Sequence, residues 1–131
     1  MNPPRPAPEP SALLDALDAD SVRRLRELDP DGRHGLLQRV LDTFVASLRQ
    51  ELGQVERARV DADRAALRGV AHKLKSSSRS VGALELAQHC EEVERWVRDG
   101  DPRPIDPPLD AMVAQMRHLL ALAGHVGGDP S

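Results

Sequence analysis

The chain has 131 residues, a net charge of −3, one Trp, one Phe and no Tyr. That length suits a single domain, and the slightly acidic balance gives no electrostatic reason to expect nucleic-acid binding. With aromatics so scarce the core has to be built from Leu, Val and Ala, which favours packed helices over a sheet.

The single cysteine, Cys90, rules out an intramolecular disulfide framework and fits a reducing compartment. No apolar run approaches the roughly 20 residues of a membrane span. The opening MNPPRPAPEP lacks the apolar stretch of a secretory signal. These features imply a cytoplasmic protein with no membrane partner.

Residues 1–10 hold five prolines and little apolar surface, so they read as a flexible Pro-rich arm. The bundle domain is expected over 11–125 and a disordered tail over 126–131. A short helix should follow Asp18 or Asp20 and run through Val22, Leu25 and Leu28. Asp29 to Gly32, Asp-Pro-Asp-Gly, is turn chemistry.

A long amphipathic helix then carries Leu37, Leu41, Phe44, Leu48, Leu52 and Val55, with a bend expected near Gly53. Asp61 or Asp63 caps the next helix, and Gly82 ends it. Leu86, Cys90, Val93 and Val97 form the stripe of another helix, which stops before DGDPRPIDPP. Asp106 as N-cap and Pro107 as first helical residue open the last helix, with Leu109, Met112, Val113, Met116, Leu119 and Leu120 facing the core. No strand-like alternation and no internal repeat occur. The expected fold is all-α, an antiparallel up-down four-helix bundle with an additional short N-terminal helix.

The stretch AHKLKSSSRSVGA, residues 71–83, carries the chemistry. Residues three and four apart share a helix face. Leu67, Ala71, Leu74, Ser78 and Val81 therefore face the bundle, while Arg68, His72, Lys75, Ser76 and Arg79 form a polar, basic stripe about 100° away. His72 should be exposed, with small serines keeping the surface around it low. An imidazole is nucleophilic only when neutral, neighbouring positive charge disfavours its protonation, and the same cations suit an attached phosphoryl group. There is no phosphate-binding glycine loop and no evident carboxylate cluster for Mg²⁺.

The motif AHKLKSSSRSVGA…HCEEVE is similar to that of histidine phosphotransfer (HPt) domains of bacterial multistep phosphorelays. The matching residues are His72, Leu74, Lys75, Ser77, Ser78, Val81 and Gly82, and Cys90 falls where many members carry a cysteine or an apolar residue. Ser76 departs from the usual glycine, which points to weaker or shifted partner docking. The resemblance implies a four-helix bundle over Asp18 to Ala123 that is a phosphocarrier and not an enzyme with its own ATP or metal site. It implies that His72, through Nε2, accepts phosphate from a receiver-domain phospho-aspartate and passes it to another receiver. Lys75 would position the phosphoryl group, and Arg68, Ser76 and Arg79 would contact the partner. Leu74, Ser78, Gly82 and Cys90 would be structural.

The partners implied are receiver domains of a hybrid histidine kinase and a response regulator, which supply Mg²⁺ and the catalysis. The chain itself would bind no cofactor or metal and act as a monomer. Two other readings fit the residues less well. A chemotaxis-kinase-type phosphoacceptor domain would need an ATP-binding domain that this sequence does not contain. A non-phosphorylated helical adaptor would need neither His72 nor Lys75.

Other residues have plain explanations. His89, Cys90 and Glu94 suggest a metal site only weakly, because residues 89 and 90 point about 100° apart on a helix. His118 and His125 read as a chance surface pair, His34 has no evident partner, and Trp96 reads as packing at the core edge.

Overall fold

A computed structural model describes residues 11–124, with the Ser11 side chain left out. Six α-helices appear there, and no strands: α1 (Ser11–Asp15), α2 (Ala19–Glu27), α3 (Leu36–Val60), α4 (Arg64–Val81), α5 (Leu84–Arg98) and α6 (Asp106–Leu122). The four long helices α3 to α6 follow one another through short connections and pack as neighbours around a ring, the up-down bundle expected from the periodicity. Leu41, Leu48, Leu74, Leu86, Cys90, Met112 and Met116 are wholly buried at its centre.

The short N-terminal helix is in fact two. Beyond the expected α2, the chain forms α1, which buries Leu13 and packs against α6, while α2 packs on α3 and α4. Asp18 caps α2 as expected, its carboxylate accepting from the Ser21 N–H at 3.0 Å. Leu28, expected in the α2 stripe, is instead the exposed C-cap residue. Gly82 ends α4 with φ +85°, and the Asp18 N–H donates to its carbonyl at 2.8 Å. A Cβ at Gly82 would lie 2.7 Å from Ser21 Cβ, so glycine is needed both for the turn and for this close approach.

Asp63 caps α4, accepting from the Ala66 N–H at 3.0 Å. Asp61 instead closes the end of α3, and α3 runs unbroken through Gly53. Gly35, the N-cap of α3, has no side chain to cap with, and the buried Asp29 takes over. Its carboxylate accepts from the N–H groups of Leu36 and His34, and these bonds, the Leu36 one foremost, hold it below the usual aspartate value despite burial. At α6 the start is shifted by one residue: Ile105 is the N-cap, and Asp106 and Pro107 are already inside the helix.

The Pro-rich arm, the tail and His125 lie outside the described residues. No described helix is long and apolar enough to cross a membrane.

Candidate functional site

His72 projects from the middle of α4 with 72% of its side chain exposed. The helix places it there by simple phase: Ala71, Leu74 and Ser78 turn inward and are wholly buried, and His72 lies one residue round from them. Its ring is not free. Nδ1 lies 2.8 Å from Oε2 of Glu94 on α5, and Oε1 of the same carboxylate is 2.6 Å from Nζ of Lys75. Only 11% of the Glu94 side chain is exposed.

Burial pushes the Glu94 carboxyl up, but the Lys75 ammonium and the His72 ring outweigh it and hold the group below the usual glutamate value. Glu94 is therefore an anion at neutral pH and can only accept hydrogen bonds. Nδ1 must then carry a proton and donate it to Glu94, so in the neutral ring the lone pair is on Nε2. The site is a helix-mounted imidazole whose neutral form has one preferred tautomer.

The cations of the basic stripe on α4 differ in their partners. Lys75 is half-buried and committed to Glu94. Arg79 pairs with Glu91 of α5 at 3.0 Å, and Arg95 holds the same carboxylate at 3.1 Å. Arg68 is exposed and has no ion-pair partner among the described residues. Ser76 is exposed beside His72 and Ser78 is buried, as their helical phases require. Gly82 is the left-handed C-cap of α4, and Leu74 is wholly buried.

On the α3 side of His72 lies a groove of about 510 Å³, walled by Val40, Phe44 and Val81 with Ser77 and Ser80 at its edge. The serines do not make it polar. Ser77 Oγ donates to the Leu74 carbonyl at 3.2 Å and Ser80 Oγ to the Ser76 carbonyl at 3.1 Å, so both hydroxyls are spent on their own helix.

Cys90 lies one turn before Glu94, wholly buried. Burial, and then the nearby Glu94 charge, push its thiol up to about 12, so it stays protonated. His89 faces Glu85 and Glu92 on its own helix, apart from Cys90. Among the described residues, no three or more His, Cys, Asp and Glu side chains gather where they could hold a metal. His118 is exposed, and the Trp96 indole donates to the Arg103 carbonyl while the Arg103 guanidinium stacks 4.5 Å from its ring centre.

Glu94 is the residue that reading the sequence missed, since there it entered only as a metal ligand. A signal was present: with Ala87, Cys90 and Val97 it falls at three- and four-residue spacing along the inner side of α5. Glu51 gives the same signal in α3, where it continues the series Leu41, Phe44, Leu48 and Val55. A carboxylate at such a position needs a partner from another helix.

Comparison with known proteins bears on the family and the fold. The family model described as "Hpt domain" matches residues 39–123, which spans α4, α5, α6 and all but the first turn of α3. The fold is similar to the crystal structure of histidine-containing phosphotransfer protein B (HptB) from Pseudomonas aeruginosa PAO1. That match has a TM-score of 0.70 and 28% identity, and it covers 91% of this chain and 94% of that one. No curated protein matches. A four-helix bundle with an exposed, tautomer-fixed histidine on its second long helix, matched by the family model over most of its length, belongs to the Hpt domain family of histidine phosphotransfer proteins.

Proposed function

We propose that His72 is the residue on which this phosphotransfer protein carries its phosphoryl group. The observation that supports it best is the hydrogen bond from Nδ1 to Glu94, because it leaves the exposed Nε2 as the nucleophile. In the forward step Nε2 attacks the phosphorus of a receiver's phospho-aspartate. The Nε2–P bond forms as the carboxylate–phosphate bond breaks, and the aspartate leaves as its carboxylate. Transfer onward is the reverse reaction on a second receiver.

The receiver supplies Mg²⁺ and the catalytic groups, and this chain supplies a positioned nucleophile. Lys75, held 2.6 Å from Glu94 one turn along from His72, positions the phosphoryl group once it arrives. Arg68 and Arg79 meet the acidic surroundings of the receiver's aspartate, Ser76 lets the receiver approach, and the apolar groove beside Ser77 seats its surface. Exchange with receiver domains of a hybrid kinase and a response regulator implies a monomer acting in the cytoplasm.

The test is phosphotransfer from a phosphorylated receiver in the presence of Mg²⁺. The chain gains an acid-labile, base-stable phosphate on His72, gains none from ATP alone, and His72→Gln abolishes labelling with helix content intact. Label on Ser77 or another histidine, or label persisting in His72→Gln, overturns the assignment.

A further inference from the structure

The turn of α4 that carries His72 is held by buried carboxylates on both flanks. Glu94 of α5 holds one flank. On the other, Oε2 of Glu51 in α3 lies 2.8 Å from Nζ of Lys73, the residue that directly follows His72. The two partners differ sharply in environment: 1% of the Glu51 side chain is exposed, against 63% of Lys73. Glu51 sits among the core residues Leu48 and Val55 of α3, with this ammonium as its counter-charge.

We propose that Glu51 withholds Lys73 from the phosphoryl group on His72 and so keeps the phosphohistidine short-lived enough to be passed on. This rests on His72 being the phosphoacceptor. Lys73 points about 100° away from His72, but its long, exposed side chain, once off Glu51, can swing round toward the phosphoryl oxygens. An ammonium there would stabilise the phosphate dianion. It would also disfavour protonation of the ring, which the imidazole needs in order to leave. Both effects slow release. Moving Lys73 off Glu51 would strip a buried carboxylate of its counter-charge, which costs more than one partly hydrated contact to phosphate returns. Lys73 therefore stays on Glu51, whereas Lys75 can turn to the phosphoryl group because Glu94 keeps the His72 Nδ1–H when Lys75 moves.

The experiment uses potassium phosphoramidate as donor, so no cognate receiver is needed. Nε2 attacks its phosphorus, the Nε2–P bond forms, the P–N bond of the donor breaks, and ammonia leaves. After removal of the donor, hydrolysis is followed by ³¹P NMR: water oxygen bonds to phosphorus, the Nε2–P bond breaks, and orthophosphate is released. Glu51→Gln, which frees Lys73 and leaves a neutral group in the core, lengthens the phosphohistidine half-life about three- to tenfold, the scale of one partly screened charge-assisted contact. Glu51→Leu, matched to the apolar stripe, gives the same lengthening and serves if the glutamine variant does not fold. Lys73→Met added to either variant returns the half-life to the wild-type value, which a merely structural role of Glu51 would not do. An unchanged or shorter half-life in the Glu51 variants, or a gain that survives Lys73→Met, overturns the proposal while leaving His72 as acceptor. A wild-type chain that takes no label on His72 overturns both.

Discussion

Nδ1 of His72 lies 2.8 Å from Oε2 of Glu94, across the interface between α4 and α5. The imidazole and the carboxylate that holds its Nδ1 thus belong to different helices, and only helix packing joins them. Glu94→Ala removes the acceptor, lets the ring rotate, and exchanges the fixed tautomer for a mixture. Transfer from a phosphorylated receiver should slow by about tenfold or more. The ¹⁵N shifts of His72 in the unphosphorylated chain should change from a single Nδ1–H form to a mixture. An unaltered tautomer in Glu94→Ala would show that the contact does not orient the ring.

Leu74 and His72 occupy adjoining sides of α4 and should separate stability from function. Leu74 is wholly buried, and Leu74→Ala should cost roughly 2–5 kcal/mol by chemical denaturation. His72→Gln should cost under about 1 kcal/mol, because the side chain is largely in water. Unfolding of His72→Gln would be incompatible with an exposed nucleophile.

Docking tests the low surface around the histidine. Ser76 is exposed, so a larger side chain there leaves the core untouched. Ser76→Trp should keep the wild-type melting temperature within a few degrees, yet reduce receiver binding and phosphotransfer by about tenfold or more through steric exclusion. Wild-type transfer by Ser76→Trp would move the docking surface elsewhere.

Two left-handed backbone positions should respond in opposite directions. Gly82→Ala puts a Cβ 2.7 Å from Ser21 at φ +85°, so it should destabilise by about 2 kcal/mol or more. Ala62 adopts φ +54° in the turn between α3 and α4, and Ala62→Gly should stabilise by about 0.5–1 kcal/mol. Thermal melts of the two variants check both signs.

Acid should weaken the fold through Asp29. A carboxyl held lower in the folded chain than in the unfolded one contributes fully above its unfolded value, 3.8 here, and that contribution is lost as pH falls through the folded value. Asp101, held at about 2 by Arg103, acts in the same direction. Asp29→Asn should therefore lower the melting temperature at pH 7, and the gap to wild type should narrow below about pH 4. A gap that stays constant down to pH 3 would show that Asp29 acts by shape and not by ionisation.

The fold and the exposure of His72 were legible in the sequence because both follow from properties of single helices. Apolar spacing sets which face is buried, and helical phase alone puts His72 outside and Leu74 inside. Asp18, Asp63 and Gly82 were readable as helix ends because capping is chemistry between near neighbours. The tertiary structure decided what crosses between helices: Glu94 beneath His72, Glu51 beneath Lys73, and Asp29 capping a helix seven residues away. A charge in an apolar stripe announces that it needs a partner, but its partner depends on how neighbouring helices are rotated and how far they slide along one another. Those quantities come from the packing of the whole core, and no single helix contains them.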